Sequence, residues 1–353
     1  MRSLLFVCLG LLFLLAACST NKTETAAAPA EPAVGSIERL DPALDAIVPA
    51  SASIVKIGSG YEFSEGPLYM RDGYLLFSDI PANTIRKWTP EGGTVDFRKP
   101  SGYDGTDAPA GAFIGSNGLT LDKEGRLVIC EHGNGRMTRL EKDGKLTVLA
   151  DKYQGKRLNS PNDAVYKSDG ALYFTDPPYG FPKEDQDPKK ELKFNGVYRL
   201  SPDGKLTLLT KEMTRPNGVG FSPDEKFLYV SNSDPAKKVW MKFEVKPDGT
   251  LGPGKVFFDV TAQTADGNPD GLKLDVNGNL YGAGPGGVWI FSPEGKHLGT
   301  IKPPETPSNV AWGKYARTNT KAVMKPGEKA DTLYITARTG LYRIQLNTVG
   351  NLP

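Results

Sequence analysis

Six short polar corners recur along the chain, each just ahead of a strand-like stretch: SEG at 64–66, SNG at 116–118, PND at 161–163, PNG at 216–218, PDG at 269–271 and SNV at 308–310. One position in each corner always carries a side-chain oxygen: Glu65, Asn117, Asn162, Asn217, Asp270 and Asn309. None is His or Cys. Carboxylate and amide oxygens suit hard cations, above all Ca2+, which gathers six to eight such ligands. Two carboxylates held together away from water repel each other and lose hydration, and a divalent cation removes that cost. Turn chemistry is the competing reading, because Asn, Asp and Gly favour turns. It accounts for any single corner, but not for Glu65, a poor turn former, in the first.

The corners are held by a repeat. Each is followed by a short strand, an Asp/Gly or Pro-Asp turn and an aromatic-rich second strand, as in SPNDAVYKSDGALYFTD from Ser160 and PNGVGFSPDEKFLYVSNS from Pro216. A third strand, such as NGVYRL before SPDG at 201–204, and a fourth, such as KLTLL at 205–209, complete the unit. Six such meanders, roughly 40 to 55 residues apart, predict an all-β, six-bladed β-propeller with four-stranded blades. A sandwich would not repeat one corner six times, and a β-helix has a shorter period. The last repeat ends at its third strand, GLYRIQL from Gly340. Residues 53–57, SIVKI, are expected to supply the fourth and close the ring, leaving no open edge. Equivalent corners then form a ring at one mouth of the central channel.

Composition agrees with a folded domain: 39% hydrophobic, 24% charged, and rich in turn formers with 40 Gly and 28 Pro. A net charge of +2 with no dense basic block gives no support for nucleic-acid binding. Arg2 and the apolar run Leu4 to Leu15 read as a signal sequence over 1–17, too short to span a bilayer. Its ending, LAAC at 15–18, resembles the bacterial lipobox, which implies lipidation of Cys18. Ser19 rather than Asp follows, so an outer-membrane anchor with a periplasmic domain is expected. Residues 18–49, rich in Ala, Pro, Thr and Glu, read as a tether, and the propeller as one catalytic domain over 50–353. Cys8 leaves with the signal and Cys18 carries lipid, so Cys130, in the apolar LVIC run, is expected to be a buried thiol without a disulfide partner. The domain is expected to act as a monomer, touching the membrane only through its lipid.

Four motifs in order, EGP at 65–67, SPND at 160–163, PNG at 216–218 and PDG at 269–271, resemble the signatures of the gluconolactonase/regucalcin (senescence marker protein) family, and TDPPYG at 175–180 is similar to its bacterial gluconolactonases. The resemblance covers nearly all of the chain after residue 50. It implies a divalent metal, usually Ca2+ but with Zn2+, Mg2+ or Mn2+ as alternatives, held by Glu65, Asn162, Asn217 and Asp270. It also implies hydrolysis of sugar lactones, with Asn117 and Asn309 in supporting or substrate-contacting places. A metal held by four protein oxygens keeps open positions for a lactone carbonyl or a water. Asp270 is the expected general base, with a metal-bound water needing no separate base as the rival.

Around that site, His132 is a candidate to reach the mouth, and Arg157 and Asn159 are candidates for binding sugar hydroxyls or for plain loop roles. The insertion from Phe181 to Phe194 reads as a lid or a solvated loop, and Asp176 as a place for a second cation. His297, after a Glu-Gly turn, is expected to be exposed. Asp163 is expected on the face opposite Asn162 by strand alternation. Two other functions stay open. The oxygen set also resembles that of phosphotriester hydrolases of the diisopropyl fluorophosphatase type, and a surface binding propeller with a structural ion needs no turnover at all.

Overall fold

The computed structural model describes residues 32–315, 323–324, 328–350 and 352. The signal sequence, Cys18 and the tether up to residue 31 lie outside the described residues. Alternating apolar residues and tight turns build six antiparallel meanders in a ring. Blade one runs Ser64–Met70, Tyr74–Asp79, Thr84–Thr89 and Gly93–Arg98; blade two runs Ser116–Leu121, Leu127–Glu131, Arg136–Leu140 and Leu146–Ala150. Blade three is Ala164–Tyr166, Leu172–Asp176, Gly196–Leu200 and Leu206–Thr210; blade four is Pro216–Phe221, Phe227–Asp234, Lys237–Glu244 and Lys255–Asp259. Blade five is Leu272–Leu274, Leu280–Gly284, Gly287–Phe291 and His297–Lys302. Blade six takes Asn309–Gly313, Thr332–Ala337 and Gly340–Gln345 from the C-terminal end and Ile54–Ser59 from the N-terminal end. Pairing of Gly340 with Ser59 and of Arg343 with Val55 closes the ring.

The second strands read as apolar on both faces because both faces of every blade are covered. Leu75, Leu76 and Phe77 are all buried. Their side chains feed separate cores between neighbouring blades: Leu76 packs with Leu119 and Ile129, whereas Phe77 packs with Tyr61 and Tyr334 on the other side. Phe174 and Tyr198 fill the space between blades two and three, and Trp240 and Phe291 that between four and five. This sandwiching holds each inner strand, and hence each corner, at a fixed distance from the axis.

The tether is shorter than its composition implies. Ala33–Val34 adds a fifth strand to blade six and Ser36–Arg39 a fifth to blade five. A single helical turn, Leu44–Ile47, then drops Leu44, Ile47 and Val48 into the largest core cluster. The side chain of Arg39 fastens the turn by donating to Asp45 and to the carbonyls of Val48 and Pro49. Low overall hydrophobicity hid four well-spaced apolar residues, Ile37, Leu44, Ile47 and Val48, which suffice because the outer blade edges offer a ready ladder of hydrogen bonds.

Candidate metal centre

Five of the six corners are bulges; Asn309 of blade six pairs with Thr336 in regular register. In blade three the Asn162 amide donates to the Thr175 carbonyl while the Thr175 amide donates to Asp163, so two residues oppose one. Blade five repeats this with Asp270 and Gly271 opposite Ala283. Register shifts follow the corners of blades one, two and four as well. The extra residue turns the corner side chain toward the axis. The glycine after it permits close approach of the next blade: a Cβ on Gly118 would collide with the Asn162 carbonyl oxygen, and one on Gly66, already at φ +54°, with that of Asn117. Hydroxyls on the second strands tie the corners across blades. Ser78 Oγ donates to the Asn117 carbonyl at 2.7 Å, Thr175 Oγ1 to that of Asn217 at 2.7 Å, and Ser231 Oγ to that of Asp270 at 2.6 Å. The next residue on those strands holds the incoming loop: Asp79 accepts from the amides of Glu62 and Phe63, Asp176 from that of Asn159, and Asn232 from that of Arg215.

These supports bring Glu65, Asn117, Asn162, Asn217 and Asp270 together, with His132, in a cavity of about 610 Å3 at one mouth of the channel. Asn309 is spent behind it. Its amide nitrogen donates to Glu65 Oε2 at 3.0 Å and its oxygen accepts from the Val310 amide at 2.8 Å. His132 is buried and reaches this mouth as part of the cavity wall. Its Nδ1 faces the Phe113 carbonyl at 3.3 Å, and its Nε2 faces the amide nitrogens of Asn117 at 3.0 Å and Asn162 at 3.4 Å. Burial pulls its pKa down to about 4, so the ring is the neutral tautomer that donates from Nδ1 and accepts at Nε2. The Asn217 side chain donates to Asp270 in the same manner.

Each of the three ring asparagines thus turns its nitrogen outward to a neighbour. Their oxygens, Oδ1 of Asn117, Asn162 and Asn217, are buried without a hydrogen-bond partner. Buried acceptors of this kind are costly when unmet. The carboxylates are equally unsettled: burial, then the Asp163 charge, raises the Glu65 pKa to about 7. Burial, then Glu65 and Asp163, pushes Asp270 well up. Among the described residues no three His, Cys, Asp or Glu side chains cluster as a metal site, so any ion here relies on the amide oxygens. Unmet oxygens converging with two carboxylates fit a hard divalent cation.

The neighbouring candidates divide differently. Arg157 and Asn159 do not line the cavity. The Arg157 guanidinium donates to the carbonyls of Leu158, Asn159 and Gly133 and stacks on the Phe181 ring at 4.8 Å. The Asn159 amide nitrogen serves the Asp176 and Phe194 carbonyls and Asn195. A tight buried loop needs partners for its carbonyls, and these two residues supply them. Asp176 anchors that loop through the Asn159 amide. The 181–194 insertion is pinned by Arg215, which pairs with Glu184 and Asp185, and Glu184 reaches the cavity wall. Tyr179, to which the motifs assigned no role, lines the cavity with its hydroxyl bonded to Ser233. Cys130 is buried and unpaired. His297 is half-buried, stacked on Trp289 at 4.1 Å, rather than exposed. Asp163 is not on the far face: it is buried beside Lys273, because the bulge cancels the alternation.

The sequence profile of the SMP-30/gluconolactonase/LRE-like region matches residues 63–339. A gluconolactonase of Zymomonas mobilis subsp. mobilis is 41% identical over 331 residues, 90% of this chain and 88% of that protein. The solved structure of a gluconolactonase from Xanthomonas campestris superposes with a TM-score of 0.74 at 33% identity, covering 90% of this chain and 98% of that one. A diisopropyl-fluorophosphatase of Loligo vulgaris is 23% identical over 273 residues, 72% of this chain and 83% of its own. With the propeller and its ring of corner oxygens, these matches show that the chain belongs to the SMP-30/gluconolactonase/LRE-like family.

Proposed function

We propose that the protein is a divalent-cation-dependent lactonase acting on sugar lactones of the gluconolactone type, with Ca2+ as the cation its all-oxygen donors suit best. The observation that carries this reading is the set of three buried amide oxygens without partners beside two carboxylates of raised pKa. Glu65, Asn162, Asn217 and Asp270 would hold the ion, and Asn117 would offer its oxygen to the ion or to a bound water. When bound, the ion supplies a Lewis acid that polarises the lactone carbonyl and offsets the oxyanion charge. The chain's own residues do the rest. His132 holds the Asn117 and Asn162 amides so that their oxygens face the cavity. Asn217 and the Gly271 amide donate to the Asp270 carboxylate and fix its direction. Asp270 takes a proton from water as the water oxygen bonds to the carbonyl carbon, then returns it to the ring oxygen as the carbon–oxygen bond breaks. One water is consumed and a hydroxy acid leaves. The Tyr179 hydroxyl, kept protonated by burial, is a donor for a substrate oxygen.

A panel of aldonolactones and phosphotriesters, assayed with and without chelator, tests the reading. Turnover of aldonolactones that chelation abolishes and Ca2+ restores is expected, with Asp270→Asn lowering kcat/KM by about 1,000-fold in a folded protein. Activity surviving complete metal removal would overturn it. Turnover confined to phosphotriesters would move the substrate class toward that of the squid relative, and no turnover with retained ion binding would make the protein a binding propeller. The same proposal includes export as a monomeric lipoprotein, held to the outer membrane by lipid on Cys18 with the propeller in the periplasm. The lipobox-like LAAC at 15–18 supports it.

A further inference from the structure

Below the ring the channel holds a charge pair to which the reaction assigns no part. Lys273 Nζ lies 3.4 Å from Asp163 Oδ2 and donates to the Leu272 carbonyl at 3.0 Å. Asp163 Oδ1 accepts from the Ala164 amide at 2.9 Å. Asp163 is 3% exposed, and Lys273, at 25%, lines a second cavity of about 960 Å3 at the far mouth. The ring oxygens line only the near cavity and Asp163 lines neither, so the pair forms the floor between them. It is electrostatically joined to the ring: Glu65 feels both Asp163 and Lys273, and Asp270 feels Asp163. Three carboxylates, Glu65, Asp163 and Asp270, therefore share the channel with one ammonium. Their sum is two negative charges.

We infer that Lys273 is a built-in monovalent counter-ion, cancelling Asp163 so that the charge remaining around the ring matches one divalent cation. The inference rests on the proposal that Glu65, Asn162, Asn217 and Asp270 hold such a cation. Without the ammonium the channel would carry three negative charges and favour a trivalent ion. Without Asp163 the ammonium would offset one of the two ring carboxylates, leaving a single negative charge and weaker binding of any divalent cation. Ligand charge count sets cation affinity in oxygen sites, and at an effective dielectric near 20 a unit charge in the channel floor shifts divalent binding by roughly ten-fold or more.

Calorimetric titration of the full-length mature domain with Ca2+ and with Tb3+ tests this, using K273M, D163N and the double variant. K273M is expected to tighten Tb3+ relative to Ca2+ by about ten-fold and to lower the unfolding temperature in chelator more than in Ca2+. D163N is expected to weaken both ions by at least about ten-fold, and the double variant to return both to within about three-fold of the parent. Affinities of K273M and D163N within two-fold of the parent would overturn the inference while leaving the metal site intact. Failure of the parent to bind Ca2+ would instead remove the reading on which it rests. Should K273M not fold, D163N and the double variant decide alone, because restoration on removing the second charge has no other source.

Discussion

In chelator the stability contributed by Glu65 should fall as pH rises, and comparison with a variant isolates it. In the ion-free protein its pKa stands at about 7 against the ordinary glutamate value of 4.5. A carboxyl whose folded pKa is raised binds its proton more tightly folded than unfolded. Its contribution is therefore fully present below 4.5 and is lost as pH rises through 7. The gap corresponds to about 3 kcal/mol for this fully buried group. Asp270 shifts in the same direction, and so does Asp176, which burial raises to about 7 from 3.8. His132 opposes them: its pKa of about 4 against 6.5 gives stability that is present above 6.5 and lost as pH falls through 4. Because terms of similar size cancel in part, the parent's profile alone is uninformative, and the comparison with Glu65→Gln isolates the carboxyl. Urea unfolding in chelator is expected to show the parent losing about 3 kcal/mol relative to Glu65→Gln between about pH 5 and about pH 8. Saturating Ca2+ should abolish that loss, since the ion keeps Glu65 ionised and at 100 times its Kd adds about 2.7 kcal/mol. Parallel profiles for parent and variant in chelator, or a profile indifferent to Ca2+, would refute the reasoning.

Three further outcomes follow from particular contacts. His132→Phe leaves the Asn117 and Asn162 amide nitrogens without an acceptor; calorimetry should show Ca2+ weakened about ten-fold and urea unfolding a loss of about 1–3 kcal/mol, with His132→Gln recovering part of both. Arg157→Met strips donors from three loop carbonyls and should cost about 2–4 kcal/mol of stability while KM for a lactone stays within about two-fold. A raised KM at unchanged stability would return Arg157 to substrate binding. Cys18→Ser should release the protein from membranes and abolish its labelling by an alkyne fatty acid, whereas unchanged membrane retention would exclude the lipid anchor.

The architecture was legible because the repeat is carried by many residues at once. Corner, Asp-Gly turn and aromatic second strand recur often enough that the degenerate sixth copy, SNV at 308–310 followed by DTLYITA at 331–337, takes its meaning from the others. The closing strand was legible for the same reason: a blade with three strands leaves an edge that another segment must cover. What escaped was local. The outer strands over Ala33–Val34 and Ser36–Arg39 add no repeat and little hydrophobicity, and they form because blade edges were there to pair with. His297 looks exposed after a turn, but its place over Trp289 depends on a neighbouring strand that no spacing along the chain reveals. Arg157 and Asn159, polar and near a corner, read equally as substrate contacts or as loop residues. Their hydrogen bonds answer the needs of a buried loop.

Asp163 shows why the chemistry of the channel was harder to read than its ring. Alternation assigns it to the face opposite Asn162, and alternation holds only where the ladder is regular. At a corner the ladder is broken by design: two residues oppose Thr175, and the bulge leaves Asp163 buried next to Lys273. The clue lay in the comparison of repeats. Blades one, two, four and five carry glycine after the corner residue, where the next blade's backbone, or for Gly271 the Asn309 side chain, leaves no space for a side chain. Blade three carries an acid there. A charged side chain at a position its relatives keep empty needs room and a partner, and Lys273, three residues past the Asp270 corner, supplies the partner. A lysine on an inner strand, at a place where other blades carry Leu68, Thr120 or Val165, would otherwise be a half-buried charge without a counterpart. Each anomaly is unfavourable alone, and together they leave the channel with the charge of one divalent ion's complement.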